Sequence, residues 1–305
     1  MIARLQQAIV AAMVAGAVAW IAWCVARDQP VMAVVGAGVI LAGHALFLAV
    51  EFAWMHAVNA GDPAPRAGAL SVVRSWAAES LHAPRVFLWR QPFRAARWPD
   101  RVDVRDAGDT VASESDRGVL LIHGFVCNRG LWNRWLARLT GRGTPFIALT
   151  MEPPFGRIDD YAIAIDAAVG RLEQATGRAP IVVAHSMGGL ALRRWWSEAG
   201  NADRIHHAIT IGTPHHGTRL ARFALSPNGR QMREHSAWLR DLRARESPAC
   251  AARTTCFYSH TDNIVFPAGT ATLPGADHRH LAGTPHVAMV DHPAPWAELQ
   301  RRLRT

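Results

Sequence analysis

The chain has 305 residues, half of them apolar, so it can form one large α/β domain or two small ones around a substantial core. Its formal net charge of +9 comes from arginine alone, because the sequence contains no lysine. Together with the abundance of Ala, Gly and Pro, this bias is typical of GC-rich coding, and we do not predict a nucleic-acid partner from the high pI.

Two apolar segments near the N-terminus predict a transmembrane helical hairpin. Residues 8–26 contain no charged side chain, and residues 31–50 have only His44 as a polar interruption. Each segment is close to the ~20 residues that a bilayer-spanning helix needs. The connector RDQP suits a tight turn with Pro30 at the start of the second helix. A cleaved signal peptide is the alternative, and the second apolar span argues against it.

The arginines around the hairpin predict its orientation. Arg4 precedes the first span, and the turn holds Arg27 offset by Asp28. Many more arginines follow the second span, namely Arg66, Arg74, Arg85, Arg90, Arg94 and Arg97. The positive-inside rule therefore places both ends of the hairpin in the cytoplasm. Cys250 and Cys256 leave the compartment open, because they would form a disulfide in an oxidising one and remain thiols in a reducing one.

A linker and a juxtamembrane helix are predicted between the hairpin and the rest of the chain. Residues 59–69 have the Pro/Gly/Ala composition of a linker, and residues 70–81 have the spacing of a short helix. This helix either lies at the membrane surface or packs on the domain that follows. We divide the chain into a hairpin at 1–55 with spans at about 8–26 and 31–54, a linker with the helix at 56–85, and a large C-terminal domain at 86–305.

From residue 86 onward, apolar runs alternate with helical segments. The runs are VFLW, GVLLIHGF, PFIALTM, IVVAHS, HHAITIGTP and TTCFYS, and residues 131–139 and 161–175 have helical spacing. Strands that are apolar throughout, rather than alternating between apolar and polar residues, and that are joined by helices are typical of a parallel sheet buried on both faces. The sequence therefore predicts an α/β domain with a mostly parallel sheet and helices on both sides.

The stretch IVVAHSMGGL predicts a nucleophilic serine at a strand end. Residues 181–184 have buried-strand composition and residues 190–196 have helical spacing, so Ser186 lies at the corner between them. Its neighbours must be small because the backbone doubles back there. Ala184 stands at the first position of the Gly-x-Ser-x-Gly pattern and differs from the expected glycine by one methyl group. The predicted turn comprises Ala184, His185, Ser186, Met187, Gly188 and Gly189.

A nucleophilic serine needs a base, an acid that orients the base, and donors for the oxyanion. The backbone N–H groups of Phe125, after the strand in LLIHGF, and of Met187 are the predicted donors. The chain order serine, acid, histidine is also satisfied. Asp262 follows a strand in FYSHTDNIVFP and is the predicted acid, and His286 in GTPHVAMVDHP is the predicted base.

Other acidic and histidine side chains compete for these roles. Asp277 and Asp291 are the alternative acids, although neither directly follows an apolar strand. The alternative bases are His278, His280 and His292. The segment DHRH lacks the spacing of a metal site, so we predict no metal. The histidines in the turns are interpreted as structural neighbours of the site, namely His123, His185, His215 and His216.

These motifs resemble the α/β-hydrolase superfamily, and specifically bacterial triacylglycerol lipases and related esterases. The resemblance rests on IHGFVCNRGLW at 122–132, TGRAPIVVAHSMGGLALRRW at 176–195, IGTPHHGT at 211–218 and the Asp262/His286 pair. It does not extend to residues 1–85. It implies Ser186 as nucleophile, His286 as general base and then acid, Asp262 as the orienting residue, and an acyl-enzyme that water resolves without a cofactor.

The hairpin and the resemblance together predict a membrane-anchored serine hydrolase that cleaves carboxylic esters. Residues 214–248 occupy the place of a lid, and their amphipathic composition favours lipid-like acyl substrates, an ordinary capping helix being the alternative. From the hairpin and its charges we predict a bacterial inner-membrane location, with the catalytic domain on the cytoplasmic side. An acyltransferase or thioesterase on the same fold, or a catalytically silent membrane-bound binding protein, remains as the alternative function.

Overall fold

Short runs of Val, Ile, Leu and Ala form the central sheet, because strands that are apolar on both faces bury best between two layers of helices. The computed structural model describes residues 1–102 and 117–305. Its strands are β1 Val119–Ile122, β2 Phe146–Ala148, β3 Ile181–His185, β4 His207–Ile211, β5 Thr254–Tyr258 and β6 Asp277–His280.

All neighbouring strands pair in parallel, in the order β2-β1-β3-β4-β5-β6. Within this register Ala184 lies opposite Ile122 on one side and Thr210 on the other. Because the strands are parallel, the loops that follow β1, β3, β4 and β5 leave the same edge of the sheet. The predicted mostly parallel sheet is confirmed, and its topology brings together the loops on which we placed the candidate site.

Helices cover both faces of the sheet, and alternate strand residues contact different layers. Leu120 and Val182 lie in one apolar cluster with residues of α6 and α7, whereas Leu121 and Val183 lie in another with residues of α5 and α11. The α-helices of the described residues are α1 Ile2–Val25, α2 Pro30–Val58, α3 Ala69–Pro84, α4 Gln91–Arg94, α5 Asn133–Gly141, α6 Ala162–Thr176, α7 Met187–Trp196, α8 Pro227–Gln231, α9 Ala237–Arg245, α10 Pro248–Ala252 and α11 Pro293–Leu303.

The first two helices are long and apolar enough to cross a membrane. They contact each other along their length, and α2 begins at Pro30 as predicted. Most of their side chains are exposed, since only about a tenth of the most apolar stretch of each helix is buried. Contiguous exposed apolar surface of this extent marks a site of contact with a membrane or with another protein.

The start of α1 and the end of α2 also pack against the rest of the chain. Phe52 and Met55 of α2 are buried in an apolar cluster with Phe266. The Gln6 side-chain amide of α1 donates to the side-chain oxygen of Gln91 at 2.9 Å. The hairpin is therefore joined to the α/β domain by packing and hydrogen bonds, as well as by the connecting segment.

The predicted strand VFLW is wrong, because Arg85–Arg90 is a π-helix that continues directly from α3. A strand in a covered parallel sheet buries every residue. Here Val86 is buried, Phe87 is half-buried and Trp89 is 53% exposed, which is the one-sided burial of a helix surface. The sheet consequently begins at β1.

The last strand, β6, was not predicted, because its sequence DHRH has no apolar residue. It pairs only with β5 at the edge of the sheet, where three of its four residues are exposed. Such an edge position tolerates polar side chains.

The four cysteines of the chain are free and buried, namely Cys24, Cys127, Cys250 and Cys256. Cys250 and Cys256 therefore form no disulfide in this structure.

Candidate active site

Ser186 lies on a tight turn between β3 and α7, as the sequence predicts. Its φ of 54° and ψ of −129° are unusual for a residue with a side chain. The turn is held by two backbone hydrogen bonds, in which Ser186 N–H donates to Ile211 O at 2.9 Å and Gly189 N–H donates to Ser186 O at 3.0 Å. Backbone strain of this kind, held by the surrounding structure, is concentrated at functional sites.

Two glycines let β1 approach this turn closely. A Cβ atom at Gly188 would lie 2.4 Å from the carbonyl oxygen of His123, and one at Gly124 would lie 2.7 Å from Cβ of Ser186. Ala184, in contrast, is fully buried inside β3, one residue before the turn starts. Its extra methyl group is accommodated in the sheet, which explains why the first position of the pattern need not be glycine here.

His286 and Asp262 are hydrogen-bonded to each other in the loops that follow β6 and β5. The distance between His286 Nδ1 and Asp262 Oδ2 is 2.9 Å, and both side chains are buried. The other carboxylate oxygen, Oδ1, accepts from Ile264 N–H at 2.9 Å and from Val265 N–H at 2.8 Å. Burial opposes the charge on His286, but the Asp262 carboxylate, together with Glu79 and Glu51, outweighs this effect and raises the pKa of the imidazole.

Ser186 and His286 line the same cavity, which has a volume of about 400 Å³. Phe125, which follows Gly124 after β1, also lines it. Met187 is the first residue of α7, so its N–H has no acceptor within the helix and points out of the helix N-terminus. The predicted nucleophile, the predicted base and one predicted oxyanion donor thus line one cavity, and Met187 directly follows the nucleophile in the chain.

The histidines of the turns have structural partners. His123 accepts from Met151 N–H through Nε2 and hydrogen-bonds Gly124 O through Nδ1, and burial lowers its pKa to about 4. The neutral ring therefore fixes the turn after β1. His185 Nε2 hydrogen-bonds the backbone oxygen of His286 at 3.3 Å. His215 Nε2 lies 3.0 Å from Thr210 Oγ1.

The alternative acids and bases lie in other surroundings. Asp291 is ion-paired with Arg90 at 2.9 Å, and Asp277 with Arg279 at 2.8 Å. His278 bonds Leu273 O. The remaining alternatives are also bonded elsewhere, His280 to His260 and His292 to Ala294 N–H. The described residues contain no group of His, Cys, Asp or Glu side chains that could hold a metal ion.

Two buried glutamates and an asparagine beside the site were missed by the sequence analysis. Glu79 of α3 accepts from the backbone N–H groups of Val287 and Ala288, at 2.7 and 3.2 Å. Asn263 donates its side-chain N–H to Glu51 of α2 at 2.9 Å. Two signals in the sequence could have found the glutamates. Glu51 is an acidic residue directly after an apolar span, and an ionisable residue in such a place is a functional-site candidate by default. Glu79 is a lone acid with apolar neighbours on a predicted helix.

These bonds connect the N-terminal helices to the loops that hold Asp262 and His286. Asn263 directly follows Asp262 and also accepts from His286 N–H at 3.5 Å. Glu79 binds the two residues that follow His286 in its loop. Burial raises the pKa of Glu79 to about 7, against the lowering effect of the bond from Val287 N–H. The helices before the α/β domain therefore position its loops.

We expect Glu79→Gln to move the acid limb of the kcat/KM profile to lower pH by several tenths of a unit. The Glu79 carboxylate helps to raise the pKa of His286, so its removal lets the imidazole stay neutral, and able to act as a base, at lower pH. The shift is small because the Glu79 carboxyl, with its pKa of about 7, is only partly ionised on this limb. The glutamine oxygen keeps the bond from Val287 N–H, whereas its N–H₂ group meets the N–H of Ala288, so a moderate fall in kcat accompanies the shift. Glu79→Ala leaves two buried N–H groups without an acceptor, and kcat should fall about 10–100-fold. The measurement is hydrolysis of a soluble ester from pH 5 to 9.

The matched control is Glu173→Gln, because Glu173 lies on α6 and pairs with Arg204. It should leave the profile in place. An acid limb that stays at the wild-type position in Glu79→Gln would show that Glu79 does not act on His286.

No family model matches this sequence, and no curated protein matches it. Solved structures match it. A Bacillus licheniformis lipase in its mature form is 17% identical with a TM-score of 0.56, over 64% of this chain and 96% of the lipase. Lipase B of Aspergillus fumigatus is 18% identical with a TM-score of 0.51, over 59% of this chain and 51% of that one. The likeness and the sheet topology show the α/β-hydrolase fold, which confirms the sequence prediction.

Proposed function

We propose that this protein is a membrane-anchored serine hydrolase that cleaves carboxylic esters. The observation that supports it most is the His286–Asp262 pair lying beside a strained Ser186 turn, with the serine and histidine lining one largely apolar cavity. Acyl ester substrates agree with the lipases among the matching structures.

In the proposed reaction, Ser186 Oγ attacks the carbonyl carbon of the ester while its proton passes to His286 Nε2. The carbonyl oxygen becomes an oxyanion that the N–H groups of Phe125 and Met187 stabilise. The protonated imidazole then gives its proton to the leaving alcohol as the C–O bond breaks, which leaves an acyl-serine. Water attacks this intermediate, its proton goes to the imidazole and on to Ser186, and a carboxylic acid is released.

Asp262 has two roles in this scheme. Its bond to His286 Nδ1 keeps the proton on that nitrogen, which leaves Nε2 with a free lone pair that can accept the proton of Ser186. Its negative charge stabilises the imidazolium that forms in each half-reaction, consistent with the raised pKa of His286. Because two backbone N–H groups bind its other oxygen, the carboxylate has one orientation.

The hairpin is proposed as the membrane anchor, with α1 and α2 as the two spans. The support is their length and their exposed apolar surface. Arginines are concentrated on the side of the α/β domain, so we propose a bacterial inner-membrane location with the domain in the cytoplasm.

The test is fluorophosphonate labelling of membranes that contain the full chain. We expect the probe to label the wild type and Ser197→Ala but not Ser186→Ala, because only the serine with a general base is activated. The labelled protein should stay with the membrane in alkaline carbonate and be released by detergent. A folded wild type without label would favour the binding protein, and release by carbonate would refute the anchor.

A further inference from the structure

The cavity beside Ser186 is walled partly by the hairpin and partly by α3 with the π-helix, which all precede the sheet in the chain. The hairpin wall consists of Met13 of α1 and three residues of α2, namely His44, Phe47 and Leu48. The π wall consists of the end of α3 and the π-helix, namely Ala83, Pro84, Phe87 and Leu88. Apart from His44, every side chain of these two walls is apolar, so they suit a hydrocarbon chain.

Hydrogen bonds between the helices hold these walls in place. The Trp76 indole N–H of α3 donates to Ala45 O of α2 at 2.7 Å, and His44 Nε2 lies 3.0 Å from Ser80 O. Glu51, one turn after the hairpin wall, accepts from Asn263 beside the acid of the site. The hairpin wall is therefore joined by hydrogen bonds to α3 and, through Glu51, to the residue that follows Asp262.

The cavity reaches the outer surface at α2. Phe47 lines it and is nevertheless 66% exposed, so its ring lies at the mouth. Leu46 and Val50 on the same helix are exposed beside it. Further apolar side chains are exposed on the neighbouring helices, namely Leu70, Val73 and Leu81 on α3, Trp89 on the π-helix and Phe93 on α4. A soluble substrate gains little from such an apolar rim, whereas a bilayer would cover it.

The position of the wall along α2 places the site at the bilayer interface. With a rise of about 1.5 Å per residue, Glu51 lies about 31 Å from Pro30, where the helix begins. The hydrocarbon core of a bilayer is about 30 Å thick. His44, Phe47 and Leu48 of the hairpin wall, three to seven residues before Glu51, are then at acyl-chain depth, and the cavity that they share with Ser186 begins at that depth.

We propose that the cavity takes the fatty-acyl chain of a bilayer lipid ester, which enters sideways from the membrane between α2 and the π-helix. This inference rests on the proposed hydrolase function. The chain lies between the hairpin wall and the π wall, and its carbonyl carbon reaches Ser186. The hairpin thus forms part of the substrate site and recognises long acyl chains by burying their methylene groups.

The first experiment compares two arrangements of proteoliposomes that contain the full chain. A diacylglycerol with a fluorogenic long acyl chain is placed either in the same vesicles as the enzyme or in separate vesicles. We expect hydrolysis to be at least about tenfold faster in the same vesicles, since entry occurs within one bilayer. Equal rates in both arrangements would overturn lateral entry.

The second experiment narrows the cavity at the hairpin wall by Met13→Trp or Leu48→Trp. With p-nitrophenyl esters of 4 and 16 carbons, we expect the ratio of kcat/KM for the long over the short ester to fall at least about tenfold, given about fourfold per buried methylene. The matched controls Val14→Trp and Val39→Trp, at exposed positions on the same helices outside the cavity lining and its rim, should keep the wild-type ratio.

The ratio corrects for loss of folded enzyme, because both esters report on the same molecules. An unchanged ratio in both wall variants, with Ser186-dependent cleavage of the short ester retained, would overturn the inference and leave the hydrolase intact. Absence of Ser186-dependent cleavage of either ester by the wild type would instead refute the proposed function.

Discussion

Replacing Asp262 with asparagine is expected to lower kcat for a soluble ester by about 10⁴-fold while the fold is retained. The carboxylate accepts two backbone N–H groups at Oδ1 and the imidazole at Oδ2. The asparagine oxygen will occupy the Oδ1 position, since its amide N–H₂ cannot face two donors. The amide nitrogen then faces His286 Nδ1 and donates to it, so the histidine proton moves to Nε2. In this tautomer the ring cannot accept the proton of Ser186.

The matched control is Asp277→Asn, the same chemical change at the alternative acid. Asp277 is exposed on the edge strand and paired with Arg279, so kcat should stay within about twofold of the wild type. Steady-state hydrolysis gives kcat, and thermal unfolding in detergent checks the fold of each variant. A large loss in Asp277→Asn with activity retained in Asp262→Asn would transfer the role of the acid.

The candidate site could be located from the sequence because its residues are marked locally. Ser186 directly follows an apolar strand and Phe125 lies three residues after one, and glycines near both leave space for the backbone. Asp262 lies four residues after the end of β5. In a parallel sheet all such ends meet at one edge, so strand-end residues that are distant in the chain lie together.

The residues that hold the loops of the site in position could not be predicted in this way. Glu79 and the backbone of Val287 are 208 residues apart, and the glutamate lies in a segment that no catalytic motif covers. Its role depends on how α3 docks on the domain, which neither periodicity nor composition encodes. The π-helix after α3 was missed for a related reason, because four apolar residues in a row fit a strand or a half-buried helix equally well.

Replacing Gly188 with alanine is expected to destabilise the protein by about 2–3 kcal/mol and to lower kcat by about 10²-fold. The new Cβ would lie 2.4 Å from His123 O and 2.7 Å from Ile122 O. Both are backbone atoms at the end of β1, so no side-chain rotation relieves the contact. The start of α7 must then move away from β1, which separates the Met187 N–H from the Phe125 N–H and weakens the proposed oxyanion hole.

Gly170→Ala is the matched control, because it also replaces a helical glycine, on α6. There the nearest atom to a new Cβ is Arg204 Nη2 at 3.7 Å, an ordinary contact. This variant should keep its kcat and gain about 0.5–1 kcal/mol, since alanine is favoured over glycine inside a helix. Denaturant unfolding in detergent and hydrolysis of a soluble ester measure both quantities. Wild-type stability and kcat in Gly188→Ala would mean that β1 and α7 are further apart than described, and that the two N–H groups do not converge on one oxygen.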